Sequence, residues 1–178
     1  MNMSDVEKHA RNFLRDNYGM VLNIPIKRNN RLSRAMGRFI HTGRKPIAID
    51  LAGSLLDYNE AEAILDVLEH ELVHYALFSK GLPYKDGDDY FEESLKELGI
   101  SATKTTGMYK PLHFLTCGCK ATIHVEERLA KYGWVCRGCD KELSHIGRYI
   151  DNRSNLRKKK FKNKKEIMDY ISQLKKVN

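Results

Sequence analysis

The chain has 178 residues, 42% of them hydrophobic, and a formal net charge of +8. This length and apolar content suit one ordinary domain plus a small appendage. No apolar run approaches the roughly 20 residues of a helix that spans a bilayer, so we expect no membrane-spanning helix. The N-terminus lacks the hydrophobic core of a signal peptide, so we expect a cytoplasmic protein. In that reducing compartment, four cysteines indicate metal binding rather than disulfides.

The excess positive charge lies in the last third of the chain. Residues 1–110 hold 15 Lys and Arg against 16 Asp and Glu, whereas residues 111–178 hold 16 against 7. A basic field of this kind attracts nucleic acid or another polyanion. DNA is therefore the expected partner of the C-terminal third, and a solubilising tail is the plainer alternative.

The chain begins with a predicted helix and a small sheet. Residues 5–18 carry an apolar stripe, with Ser4 or Asp5 as the cap and Gly19 after the end. Strands are predicted over residues 20–26, 35–40 and 47–51, with a turn over 41–46. The basic residues between 27 and 45 are either a second polyanion surface or, as we favour, the solvent face of a hairpin.

The motif His70-Glu71-Leu72-Val73-His74 lies late in a long helical pattern over residues 59–78, with Asn59 as its predicted cap. Histidines four residues apart lie one turn above each other, so both imidazoles can bind one metal ion. The intervening glutamate can then take a proton from a water on that ion. This is the chemistry of the H-E-x-x-H signature of zinc hydrolases.

A carboxylate-rich turn follows the motif helix, which is predicted to end near Gly81. The turn covers residues 84–89, and a second helix is predicted from Asp89 to Leu98. Acidic residues therefore lie close behind the motif in the chain.

Two cysteine pairs indicate a structural metal site. Sixteen residues separate the pairs, as suits a tetrahedral zinc site with four cysteine ligands on two knuckles, although the first pair has a one-residue spacer. The alternatives are a rubredoxin-like iron site, free buried thiols, or replacement of one cysteine by His113 or His124. The four predicted ligands are Cys117, Cys119, Cys136 and Cys139.

The last part of the chain joins a basic segment to a short amphipathic helix. Eight of the thirteen residues from Arg153 to Lys165 are basic and none is acidic. A helix is predicted from Glu166 to Leu174. The segment either contacts phosphates or packs against the cysteine-containing ribbon.

Taken together, the motif with Tyr75 after it, Phe91 in the next helix and the cysteine pairs resemble the SprT-like metallopeptidase family, to which the DNA-dependent protease Spartan is related. The resemblance covers about residues 5–140. It implies an α+β fold in which a small zincin-like domain, with helices packed on a short mixed or antiparallel sheet, precedes a C-terminal zinc ribbon. The expected segments are a peptidase domain over 1–110, a ribbon over 111–150 and a basic tail over 151–178.

The family's third zinc ligand is usually a histidine shortly before an aromatic residue of the following helix. This chain departs from that pattern, because no histidine occurs between His74 and His113. Aligning residues 84–91 with the family pattern puts Asp86 at or next to the ligand position. The alternatives are Asp88, Glu92 and Glu93, and the departure leaves open an altered metal preference or a loss of activity.

The resemblance implies a zinc endopeptidase in which His70, His74 and Asp86 hold one catalytic Zn²⁺, while the ribbon holds one structural Zn²⁺. Glu71 is the expected general base, and Tyr84 or Tyr90 would stabilise the oxyanion. The expected substrates are proteins associated with DNA.

The rival hypothesis is a non-catalytic, zinc-dependent nucleic-acid-binding protein in which the two motif histidines are a relict or structural site. A toxin-like or phage-encoded peptidase with one dedicated target is a third hypothesis. The sequence does not predict the oligomeric state.

Overall fold

The computed structural model describes residues 1–32, 34–101, 109–117, 119, 122–126, 133–152 and 164–177. The chain divides into two compact units, Met1–Thr106 and Gly107–Asn178. Each unit combines helix and sheet around a hydrophobic cluster of its own. The predicted α+β class is therefore confirmed. Within the described residues, no helix is long and apolar enough to cross a membrane.

The first unit packs its helices on a three-stranded sheet. The strand order is β1-β3-β2, with β1 parallel and β2 antiparallel to β3, so β2 is an edge strand. In chain order the elements are α1 (Met3–Tyr18), β1 (Ile26–Asn29), β2 (Gly37–Thr42), β3 (Lys45–Ala52), α2 (Gly53–Tyr58), α3 (Ala61–Ser79) and α4 (Asp89–Glu97).

Helix α1 forms where the sequence predicts it, but its cap is Asn2 and not Ser4 or Asp5. The Asn2 side chain accepts the Asp5 N–H, and the Asp5 carboxylate accepts the Asn2 N–H. This reciprocal pair satisfies two of the amide groups that a helix start leaves without partners. At the other end, Gly19 adopts a left-handed φ of 62°, which glycine tolerates without steric cost.

The prediction of a strand over residues 20–26 is wrong, because β1 starts only at Ile26. The apolar residues Met20, Leu22 and Ile24 pack against the core without pairing in the sheet. The Tyr75 hydroxyl lies 3.4 Å from both the Val21 carbonyl oxygen and the Asn23 amide nitrogen. The alternating pattern therefore reflects burial of an irregular segment.

Helix α3 carries the histidine motif through the middle of the first unit, where it contacts α1, α4, β2 and β3. The predicted cap at Asn59 is wrong. Asn59 ends α2, donating from its side-chain amide to the carbonyls of Ser54 and Leu55. Glu60 is the residue before α3. Helix α3 is held mainly by packing, with Leu68, Leu72 and Ala76 fully buried.

The second unit is an antiparallel sheet covered by a helix, with the strand order β5-β4-β6-β7. Its strand β6 continues past residue 150, where the sequence predicted a boundary. The elements are β4 (Tyr109–Thr116), β5 (Thr122–Glu126), β6 (Ser144–Asn152), α5 (Lys164–Ile171) and β7 (Lys175–Lys176).

Helix α5 packs on this sheet. Its Ile167 and Ile171 share a buried cluster with Leu112 and Phe114 of β4. The terminal amphipathic helix therefore packs against the sheet, whereas contact of the basic segment with phosphates stays a prediction. Most of the basic segment, residues 153–163, lies outside the described residues.

Candidate metal centre and its cavity

Two histidines of α3 and one aspartate of the loop after it converge on a single point. The Asp86 Oδ1 atom lies 3.2 Å from Nε2 of His70 and 3.3 Å from Nε2 of His74. The two Nε2 atoms are 3.2 Å apart. The helical spacing brings the imidazoles together, and the fold of the following loop brings the carboxylate to them.

The separations fit the ligand set of a tetrahedral metal ion. With bonds of about 2.0–2.1 Å, the donors around a tetrahedral Zn²⁺ lie about 3.3 Å apart. The three measured distances agree with that value, and two imidazole nitrogens with one carboxylate oxygen are donors that zinc accepts. Three protein ligands would leave one position for water or substrate, as in catalytic sites.

The surroundings of His74 prepare its Nε2 atom to be a ligand. Its Nδ1–H donates to the main-chain carbonyl of Tyr84, so the lone pair remains on Nε2. Burial lowers the pKa of His74, which favours the neutral imidazole that binds metals. Three electronegative atoms then face one another, an arrangement that a cation would stabilise.

Glu71 is turned toward β2 and is almost completely buried, with 7% of its surface exposed. Its Oε2 atom accepts the main-chain N–H of Phe39 at 2.7 Å. Burial raises the pKa of Glu71 to about 8, against the opposing effect of the Phe39 N–H. A divalent cation beside this carboxyl would act in the opposite direction and favour the ionised form.

A cavity of about 330 Å³ is lined by Glu71, His74 and Asp86. Residues of β2 and the segment leading to it line it together with Tyr84, Lys85 and Asp86. Of the two tyrosines proposed for the oxyanion, Tyr84 lines the cavity, whereas Tyr90 lies on the surface with 47% exposure. The full lining is Ala35, Gly37, Arg38, Phe39, His41, Glu71, His74, Tyr84, Lys85 and Asp86.

The other candidate carboxylates lie elsewhere. One oxygen of Asp88 accepts the Lys85 N–H at 2.8 Å, and one of Glu92 accepts the Gly87 N–H at 3.0 Å. Glu93 is exposed on α4. Among the described residues, Asp86 is the carboxylate that forms a possible metal group with the two histidines.

Gly37 leaves the space that the Glu71 side chain occupies. A Cβ atom at Gly37 would lie 2.6 Å from Cγ and 2.7 Å from Oε1 of Glu71, and 2.9 Å from Cγ1 of Val67. Both distances to Glu71 are far below van der Waals contact, so any side chain here displaces the carboxyl group. An isolated glycine in a predicted strand signals such a close approach, but the sequence does not show which group approaches.

We expect Gly37→Ala to lower peptide cleavage by about 100-fold, because displacements near 1 Å have effects of that size. Metal content should stay unchanged, since the three donor atoms are not touched. The measurement is kcat/KM with zinc content and far-UV circular dichroism. Gly133→Ala is the matched control, because a methyl group there meets nothing within 4 Å. Wild-type cleavage by Gly37→Ala would show that this space is dispensable.

The four cysteines form a second possible metal group, with all Sγ atoms within 4.8 Å of one another. Cys136 and Cys139 belong to a knuckle in which the Gly138 N–H donates to the Cys136 sulfur at 3.4 Å. This cluster is compatible with a zinc ribbon. The alternative ligand His113 instead has its Nδ1 3.0 Å from Nε2 of His145, and the His124 side chain lies outside the described residues.

We expect Cys136→Ser to remove about one metal ion per chain and to unfold the second unit, because metal binding in such sites is coupled to folding. Trp134 is the sole tryptophan and lies beside this knuckle, so its fluorescence should change. Most of the helical far-UV circular dichroism should persist, because α1 to α4 belong to the first unit. Chelation of the wild type should reproduce the fluorescence change. Unaltered metal content in Cys136→Ser would contradict the four-cysteine site.

Comparison with known proteins gives one consistent result. The sequence model of the SprT-like family matches residues 5–107. A Protein SprT-like from Streptococcus mutans is 24% identical over 147 residues, covering 82% of this chain and 97% of the relative. One from Streptococcus pyogenes is 29% identical over 65% of this chain and 79% of the relative. One from Bacillus cereus is 28% identical over 68% of this chain and 72% of the relative. No solved structure matched.

Proposed function

The chain belongs to the SprT-like family, and from this premise we propose that it is a zinc-dependent metallopeptidase that cleaves proteins associated with DNA. One observation carries the proposal. His70, His74 and Asp86 have the geometry of a zinc site. Two of these donors, His74 and Asp86, line the same cavity as the buried carboxylate of Glu71. A purely structural site needs three or four ligands but has no use for the buried Glu71.

In this proposal His70, His74 and Asp86 hold the ion. When bound, Zn²⁺ supplies Lewis acidity, which lowers the pKa of a water molecule and polarises a peptide carbonyl. Glu71 accepts a proton from the water as the water oxygen attacks the carbonyl carbon. It then returns this proton to the leaving nitrogen as the C–N bond breaks. The Phe39 N–H holds one oxygen of Glu71 in place during both transfers.

The oxyanion that develops on the substrate requires a hydrogen-bond donor. Tyr84 is better placed for this than Tyr90, because it lines the cavity. The edge strand β2 forms one wall and has no strand partner on its outer side within the described residues. An extended peptide could pair with such an edge through main-chain hydrogen bonds, which supports a polypeptide substrate.

The DNA part of the proposal depends on charge. The basic residues of the C-terminal third would bring the peptidase to the phosphate backbone, and substrate choice would then follow from proximity on the DNA. The four cysteines form no disulfide, which supports a reducing compartment such as the cytoplasm.

The test uses the full-length protein as purified. We expect about two zinc ions per chain, one for each possible metal group, and cleavage of a DNA-bound protein that is faster with DNA than without it. A chelator should abolish cleavage. About one zinc ion, lost on cysteine substitution and accompanied by DNA binding without cleavage, would instead establish the rival non-catalytic nucleic-acid-binding function.

A further inference from the structure

Tyr84 contacts the metal centre with its main chain and β2 with its side chain. Its carbonyl oxygen accepts the Nδ1–H of His74, and its hydroxyl lies 3.1 Å from Nε2 of His41. Asp86, the third donor, follows two residues later. One residue therefore connects β2 to two of the three groups that converge on the candidate metal site.

The loop that carries Asp86 is held at its C-terminal end by the main-chain N–H groups of Lys85 and Gly87, which donate to carboxylates of Asp88 and Glu92. It begins and ends near Gly81 and Gly87, both with left-handed φ angles, and the Asp86 side chain is 56% exposed. Burial therefore does not fix the carboxylate. Tyr84 anchors the N-terminal part of this loop to α3, since its ring packs edge-on against Phe78 with centroids 5.0 Å apart.

His41 is itself firmly placed. Its ring lies 4.5 Å from the ring of Phe78 and 5.5 Å from that of Phe39. The strand register shifts between Ile40 and His41, and such irregularities often redirect a side chain beside a functional site. The Nδ1 atom is buried without a hydrogen-bond partner in the described part of the chain, so Nε2 makes the ring's polar contact to Tyr84.

We propose that His41 is a positioning residue of the metal centre, which acts by holding the Tyr84 hydroxyl. This contact fixes the loop so that the Tyr84 carbonyl orients His74 and the Asp86 carboxylate meets both histidines. The inference rests on the metal site of the proposed function, but it concerns metal affinity and not the reaction. Groups that orient metal ligands typically change affinity or activity by about 10- to 100-fold when removed.

The test is a titration of the full-length, metal-free protein with Co²⁺. This probe separates the two sites, because four-cysteine sites show sulfur-to-metal charge-transfer absorption and His–Asp sites do not. Tyr84→Phe removes the hydroxyl and keeps the ring and the carbonyl. His41→Phe keeps an aromatic ring against Phe78 and also removes the unpartnered Nδ1 atom. Tyr90→Phe on the surface of α4 is the matched control.

We expect each of the two variants to bind Co²⁺ at the His–Asp site about 10-fold more weakly or worse. The double variant should be no weaker than either one, because both changes remove the same contact. The four-cysteine site and Tyr90→Phe should match the wild type. Unchanged affinity, or additive losses in the double variant, would overturn the inference.

Two further results distinguish the positioning role of His41 from a catalytic role of the Tyr84 hydroxyl and from the proposed peptidase function. If Tyr84→Phe lowers kcat and leaves Co²⁺ affinity unchanged, the hydroxyl acts on the substrate and the positioning role is refuted. The titration contains no substrate. A protein that shows the expected affinity changes but cleaves no peptide would therefore refute the peptidase function and retain the positioning role.

Discussion

Glu71→Gln is expected to reduce peptide cleavage by about 10²- to 10⁴-fold, the usual contribution of a general base. Glutamine has nearly the same shape and can still accept the Phe39 N–H with its side-chain oxygen, so the geometry of β2 and α3 should persist. It cannot accept a proton from water. The measurement is kcat on a cleavable DNA-bound protein, together with zinc per chain.

The matched control is Glu69→Gln, two residues earlier on the same helix. The Glu69 carboxylate contacts His9 of α1 at 2.6 Å and does not line the cavity. The Glu69→Gln variant should retain wild-type cleavage. If Glu71→Gln cleaves as fast as the wild type with the same zinc content, Glu71 is not the base. If it loses zinc instead, Glu71 has a role in metal binding that the geometry does not predict.

Asp86→Ala should weaken metal binding at the His–Asp site by about 100-fold or more and abolish cleavage at low zinc. Two donors alone leave a tetrahedral ion with half of its coordination to water, whereas catalytic zinc usually has three protein ligands. The measurement is a metal titration, with cleavage assayed at several zinc concentrations. Excess zinc should restore part of the activity, because the base and the cavity remain.

Two companion variants make this result specific. Asp86→His restores three donors and matches the histidine that the family resemblance leads one to expect here, so it should bind zinc. Asp88→Asn alters a neighbouring carboxylate that accepts the Lys85 N–H, and it should behave as the wild type. Equal losses in Asp86→Ala and Asp88→Asn would show that the loop, and not the Asp86 oxygen, determines affinity.

The elements of the first unit were mostly predictable, because their signals are local. The apolar stripes of α1 and α3 predicted both helices, and the glycine at position 19 marked the end of α1. The errors occurred where packing replaces sheet pairing. Residues 20–25 alternate like a strand but are buried as an irregular segment, and the short helix α2 was not predicted.

The candidate site likewise has some parts that local sequence signals predict and others that depend on packing. The pairing of His70 with His74 follows from four-residue spacing on a helix, and the resemblance to relatives indicated Asp86. The contributions of Phe39 and of the Tyr84 carbonyl were not predictable, because every residue has a main-chain carbonyl and nearly every one an amide N–H. Only their placement distinguishes these groups. The aromatic and histidine side chains around Phe78 come together from β2, α3 and the following loop.

The sequence by itself determined the chemistry that lies within single elements: two imidazoles and a carboxylate on one helix, two cysteine pairs, and a basic C-terminal third. These features depend on spacing along the chain, which a helix or a knuckle converts directly into geometry. Only the tertiary structure decided which carboxylate meets the histidines, where Glu71 is buried, and which strand forms the wall of the cavity. Those arrangements arise from the packing of segments that are distant in the chain, and no local pattern encodes them.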